Sequence, residues 1–300
     1  MRRFQANLTT QGIDPQAVPL PATPRNGADH GIPSSHSEAA PAYLRWTNGP
    51  SAGSYPKTRL RLFCFPYAGG GTSIFRDWPV ALPQAVEVCP IQLPGRESRW
   101  SEPPFTRLAS LIETLANVLH PLLNLPFAFF GHSMGALISF ELARQLRRET
   151  GECPVHLFVS AARAPQLPDP DPPIHQLSDS AFVEELLRFH GIPEEVHRNA
   201  ELMQLVLPTL RADIALCETY VHSIEEPLSC PISAYLGKHD TKVVLEDIGG
   251  WSVQTQRVFN FSLFPGDHFF LFSARKSLLR VLSAELSGIL MRMSGERSSK

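Results

Sequence analysis

The chain lacks a basic footprint. Its 27 Lys and Arg are outnumbered by 29 Asp and Glu, a formal charge of −2, and the sequence pI is about 6.6. No nucleic-acid partner is expected, because phosphate contacts need clustered cations. Long apolar runs are missing too. No stretch reaches the ~18–20 apolar residues of a membrane span, and the N-terminus has no apolar segment of secretory type. A cytoplasmic protein without membrane contact is the expectation. Cysteine is scarce: Cys64, Cys89, Cys153, Cys217 and Cys230 are dispersed and form no C-x-x-C pair. That spacing argues against a disulfide framework and a metal site and for reduced core thiols. No cofactor is expected.

Large apolar residues are sparse over positions 1–57, where Pro, Ser, Gly, Ala and Asn dominate ("PLPATPRNGADHGIPSSHSEAAPA"). Such a stretch buries too little surface to offset its ordering entropy and reads as a disordered tail, with a small apolar cluster at Tyr43, Leu44 and Trp46. The remainder, 58–300, reads as one catalytic domain.

From Thr58 short apolar runs alternate with helical spacing. "RLRLFCF" (59–65), "AVEVCPIQL" (85–93), "PFAFF" (126–130), "VHLFVSA" (155–161), "CPISAYLG" (230–237) and "RVFNFSLF" (257–264) read as strands. Residues 106–122 carry Leu108, Leu111, Ile112, Leu115, Val118 and Leu119 at helical intervals. The segment 133–149 offers Leu137, Phe140, Leu142, Ala143 and Leu146, and a last helix spans about 274–293. This alternation predicts an α/β fold, a mostly parallel sheet flanked by helices. One interval breaks it. About 165–228 opens with "APQLPDPDPP" and continues with helical pieces, one with Phe182, Leu186 and Phe189 on a face before a glycine stop, the next interrupted at Pro208. A helical insertion there is where a lid over a site would lie.

Gly131-His132-Ser133-Met134-Gly135 matches G-x-S-x-G at the junction of a strand and a helix. The glycines clear space for a strained turn that projects the Ser133 hydroxyl, and the following helix aims N–H groups at the same spot. A serine hydroxyl needs a base, which in this sheet type follows late in the chain in the order Ser, acid, His. Eleven histidines compete. His132 adjoins the serine but points away from the elbow, and His239 precedes no later acid and strand. His268, in "FPGDHFFLF" after the final strand, is the candidate base. Asp240, in "LGKHDTKVV" after strand 230–237, is the candidate acid. Asp267 is awkwardly placed to orient its own neighbour, Asp213 lies on a helix, and the loop after 155–161 holds only Ala161, Ala162 and Arg163. Candidate oxyanion donors are the N–H of Met134 and one from "FPYAGGG": Ala68, with Tyr67 a close second.

The blocks "LFCFPYAGGGTSIFRDW", "VEVCPIQLPGRESR", "PFAFFGHSMGALISFELAR", "LPTLRADIALCETY", "CPISAYLGKHD" and "FPGDHFFLF" resemble the type II, editing thioesterases of nonribosomal peptide and polyketide synthases. The resemblance runs from about Arg59 onward and implies an α/β-hydrolase fold with a helical lid. It also implies hydrolysis of acyl thioesters from the phosphopantetheine arm of an acyl or peptidyl carrier protein; a monomer is expected. By position it puts the family's catalytic serine, aspartate and histidine on Ser133, Asp240 and His268. The family's first loop often reads F-P-H-A-G-G, and here Tyr67 stands in place of the histidine. Phe182, Leu186, Leu202 and Leu205 are candidate pocket residues. Arg96, Arg99, Arg163 and Lys238 are candidates to meet an acidic carrier protein. A carboxylesterase, an acyltransferase or a noncatalytic acyl-binding scaffold would share the same elbow.

Overall fold

A computed structural model describes residues 58–188 and 194–298. The tail 1–57, its cluster at Tyr43, Leu44 and Trp46, and the expected glycine stop with Phe189 and Gly191 lie outside the described residues. Six strands form one sheet: β1 (Leu60–Phe65), β2 (Val86–Pro90), β3 (Phe127–His132), β4 (His156–Ser160), β5 (Ile232–Gly237) and β6 (Phe259–Phe264). Their order is β2-β1-β3-β4-β5-β6, and every neighbouring pair is parallel.

Strands β1 to β5 are covered on both faces, which is why they read as mostly apolar runs, whereas edge strand β6 leaves Asn260, Phe261 and Leu263 exposed. Alternate residues feed two cores. Phe63, Phe65 and Phe129 pack with helices α2 (Leu108–Leu119) and α3 (Met134–Thr150). Leu62, Cys64 and Phe130 pack with α1 (Trp78–Ala81) and α9 (Arg275–Ser298), through Trp78, Leu278, Leu282 and Leu286. The spacing expected for α2 holds: Leu108, Leu111, Ile112, Leu115, Val118 and Leu119 are all buried. Strand β3 is longer than its apolar run, because Gly131 and His132 stay in register with Val159 and Ser160. After β6 the chain makes one further turn, α8 (Phe270–Ser273), before α9.

Between β4 and β5 stand α4 (Asp179–Arg188), α5 (Glu194–His197) and α6 (Ala200–Glu218). A short α7 (Leu245–Gly249) follows β5. Phe182, Leu186, Met203 and Leu210 make a small core of the insertion's own. Phe182 and Leu186 are therefore core residues, a correction to their expected place in a pocket, whereas Leu202 and Leu205 are half-buried. Pro208 also departs from expectation, since α6 runs through it. Proline removes one helical N–H, here the partner of the Gln204 carbonyl. Gln204 and Pro208 are both exposed, so water can take that carbonyl, while buried Met203 and Leu210 hold the helix on either side.

Candidate active site

Strand β3 ends at His132 and α3 begins at Met134, so Ser133 alone makes the turn. Its backbone adopts φ 54°, ψ −118°, a conformation that costs a non-glycine residue about 1–3 kcal/mol. The surroundings enforce it. Ser133 N–H donates to the Ser160 carbonyl at 2.7 Å, and Ala136 N–H to the Ser133 carbonyl at 2.9 Å. A Cβ on Gly131 would lie 2.1 Å from the Gly135 carbonyl oxygen, and one on Gly135 would lie 2.2 Å from that of Phe65. The elbow thus packs backbone on backbone, directly beside the end of β1.

The ends of β5 and β6 carry the other two residues. Lys238 N–H donates to the Phe264 carbonyl at 2.8 Å and His239 N–H to that of Gly266 at 2.9 Å, which prolongs the β5–β6 pairing into the loops. His268 then reaches back, its Nε2 3.1 Å from Ser133 Oγ and its Nδ1 2.8 Å from Asp240 Oδ2. The Asp240 side chain is fully buried, and its Oδ1 accepts from the N–H groups of Lys242 at 2.8 Å and Val243 at 3.1 Å. An ionised carboxylate only accepts, so Nδ1 of His268 donates to it. The neutral ring then has Nε2 open to take the serine proton. The structure brings Ser133, His268 and Asp240 into one row. Asp267 is exposed, its carboxylate accepting from Phe269 N–H at 2.9 Å, and His239 is exposed outside the row.

Met134 opens α3, where the first N–H groups have no intrahelical acceptor and the helix dipole is positive. The site of a Gly135 Cβ is also 2.7 Å from the Pro66 carbonyl oxygen, so the turn bearing Tyr67 and Ala68 lies next to this helix start. The Tyr67 ring packs edge-on to Phe269 at 5.2 Å, to Phe272 at 6.1 Å and to His132 at 6.0 Å. Burial pushes its hydroxyl up to about 12, so it stays protonated.

Sequence reasoning missed what His132 does. It is fully buried, with Nε2 3.0 Å from the His268 carbonyl and Nδ1 2.9 Å from Ser160 Oγ. Because a carbonyl can only accept, Nε2 carries the proton and Nδ1 accepts from the Ser160 hydroxyl. Burial, reinforced by the nearby His268, holds its pKa well below the ordinary histidine range and keeps the ring neutral. His132, the residue before Ser133, thus grips the backbone of His268. Its position inside the elbow motif was the one available signal.

The expected docking cations fare differently. Arg96 and Arg99 are buried, 6% exposed each, in ion pairs with Asp213 at 2.7 Å and Glu102 at 2.5 Å. Arg163 is half-buried against Asp247 at 3.3 Å. Lys238 is exposed. The arginines of "LPGRESR" hold loops together and do not form the expected surface.

A doubly covered parallel sheet with this elbow after β3 places the chain among the α/β-hydrolases. More narrowly, it belongs to the thioesterase family, whose thioesterase-domain model matches residues 60–286. The gramicidin S biosynthesis protein GrsT of Aneurinibacillus migulanus is 47% identical over 232 residues, 77% of this chain and 91% of that one. A protein of Brevibacillus parabrevis named linear gramicidin dehydrogenase LgrE is 44% identical over 250 residues, 82% and 94%. That name states a different activity for LgrE. Among solved structures, the RedJ thioesterase of the prodiginine pathway in Streptomyces coelicolor superposes with a TM-score of 0.70 at 40% identity, covering 76% of this chain and 86% of RedJ. Among the described residues, no helix is long and apolar enough to cross a membrane.

Proposed function

We propose that this enzyme hydrolyses acyl thioesters on the phosphopantetheine arm of acyl or peptidyl carrier proteins. It would thereby clear misprimed or stalled acyl groups from a nonribosomal peptide or polyketide assembly line. The hydrogen-bonded row Ser133–His268–Asp240 carries the reading, and the family sets the bond to be cleaved as a thioester. Relatives named for gramicidin S and prodiginine biosynthesis support the setting.

Ser133 Oγ attacks the thioester carbonyl carbon while His268 Nε2 takes its proton. The carbonyl oxygen becomes an oxyanion, received by the N–H groups of Met134 and Ala68; one such donor is typically worth about 2.7–4 kcal/mol. Collapse breaks the C–S bond, and His268 returns the proton to the leaving thiolate. Water then attacks the acyl-serine while the same nitrogen takes its proton; collapse breaks the C–Oγ bond, and His268 gives that proton to Ser133 Oγ, so the acid and free Ser133 result. Asp240, fixed by two backbone N–H groups, holds the ring tautomer and stabilises its cation.

The decisive measurement is a turnover panel of acyl carrier protein thioesters, simple aryl esters, and alcohol or amine acceptors. Carrier-bound thioesters are expected to be hydrolysed fastest, with water as the acceptor. Faster turnover of simple esters would make the protein a carboxylesterase, and acyl transfer to an added acceptor would make it an acyltransferase. Absence of a fluorophosphonate adduct on Ser133 would leave only an acyl-binding scaffold.

A further inference from the structure

Asp213 lies on α6 of the insertion, outside the catalytic row, yet it is 1% exposed. Three donors converge on its carboxylate. Arg96 pairs with it through Nη1 at 2.7 Å and Nη2 at 2.8 Å, and the backbone N–H of Gly69 donates to Oδ2 at 2.7 Å. Arg96 also donates to the Pro94 carbonyl at 3.1 Å and reaches the Gly70 carbonyl at 3.4 Å. A buried ion pair is seldom a net gain in stability, because desolvation offsets its attraction. What distinguishes this one is the backbone amide it holds.

That amide belongs to the loop after β1. The Tyr67 carbonyl accepts from Gly70 N–H at 2.8 Å. In a trans peptide unit C=O and N–H point in opposite directions, so Ala68 N–H is turned outward from this turn. The next peptide unit is fixed by Gly69 N–H on Asp213. Both units flanking Ala68 are therefore pinned, and with them the direction of its N–H. Helix α6 adds contact at the same place. Leu210 Cδ2 lies 2.4 Å from where a Gly69 Cβ would be, a position at φ +76° that suits glycine. Thr209 Oγ1 donates to the Gly95 carbonyl at 2.8 Å, one residue before Arg96.

We propose that Asp213 is a positioning residue for the Ala68 oxyanion donor: it fixes the loop after β1 through Gly69, and with Arg96 it makes that fixation depend on α6 being seated. The proposal rests on the thioesterase reading above and on Ala68 as a donor. It joins the helix of the insertion to the loop that receives the developing charge.

The test uses the full chain and three variants: Asp213→Ala, Asp213→Asn and the double Arg96→Met/Asp213→Ala. Turnover of an acyl-pantetheine thioester is measured beside binding of two probes. One is a pantetheinyl thioether, which mimics the ground state. The other is a pantetheinyl trifluoromethyl ketone, whose adduct with Ser133 bears an oxyanion. Asp213→Ala is expected to lower kcat and ketone affinity together by about 10–100-fold, with KM and thioether affinity within about threefold. Asparagine keeps an oxygen for Gly69 N–H and should recover most of that loss. The double variant removes the stranded guanidinium, so it carries the test should Asp213→Ala fail to fold, and it should show the same selective loss. Equal weakening of both probes, or full kcat in the alanine or double variant, overturns the proposal. Wild-type protein that neither hydrolyses the thioester nor binds the ketone overturns the thioesterase reading instead, and this inference with it.

Discussion

The elbow at 131–135 and the helical insertion between β4 and β5 are built by different means. At the elbow, contact is backbone on backbone, with glycines whose absent Cβ atoms would fall 2.1 and 2.2 Å from carbonyl oxygens. Hardly any side-chain freedom enters its geometry. The insertion is held by side chains: its own small core at Phe182, Leu186, Met203 and Leu210, and the contacts of Thr209, Leu210 and Asp213 with the hydrolase body. The elbow thus rests on the most rigid material available, and the insertion on side chains, one of which, Asp213, reaches the loop after β1.

The sharpest way to probe that contrast is to remove a reacting group and leave the backbone intact. Ser133→Ala and His268→Ala should each lower turnover by about 10⁵–10⁶-fold with unchanged melting, read by single-turnover hydrolysis. Asp240→Asn should cost about 10⁴-fold, because the ring loses its orienting acceptor while the nucleophile remains. Near-normal rates there would put the acid elsewhere.

Next in size is damage to the insertion alone. Phe182 is fully buried, with Arg211 stacked over its ring at 4.3 Å. Phe182→Ala should cost about 3–5 kcal/mol of packing in that small core. Fluorophosphonate labelling of Ser133 should persist, while KM for long acyl thioesters rises and proteolysis within the insertion accelerates. Loss of labelling would show that the elbow depends on the insertion more than the contrast allows.

Acid should act on the hydrolase body. Burial holds His132 well below its usual 6.5, and His156 is brought down to about 4 by burial and by Arg292. Unfolded, both rings take protons near 6.5; folded, they stay neutral. Their contribution is complete above about pH 6.5 and is lost as pH falls toward 4, by up to about 1.4 kcal/mol per pH unit for each ring. Thermal melting should therefore shift down between pH 6.5 and 5, and His156→Phe should flatten the slope. The smallest effect is expected from Tyr67→His, which puts the residue the family more often carries into the ring cluster with Phe269 and Phe272. Its kcat/KM should change by less than about tenfold, with the change depending on acyl chain length.

Much of this was legible beforehand, and the same contrast says why. Strands buried on both faces show as apolar runs, and helices packed on one side show their spacing, so β1 to β5 and α2 stood out, while the exposed edge strand β6 showed only through its Phe and Leu residues. Ser133, Asp240 and His268 followed from chain order on such a sheet. What stayed hidden lies in contacts between distant positions. Arg96 and Asp213 are 117 residues apart, and Gly69 and Asp213 are 144 apart. Nothing local in "LPGRESR" says that its arginines turn inward. Pro208 misled for a related reason: its local cost is real, and packing on both sides of it overrides the break.

The grip of His132 on the His268 carbonyl has a mechanical consequence. It ties the C-terminal tip of β3, which leads into Ser133, to the loop after β6, which carries His268. The 3.1 Å approach of His268 Nε2 to Ser133 Oγ is thus accompanied by a second link between the same two segments, from the His132 ring to the His268 backbone. Asp240 is referenced to β5 and arrives by a side chain. Its carboxylate is anchored in turn by the N–H groups of Lys242 and Val243, so the three residues of the row hang from three different strand ends.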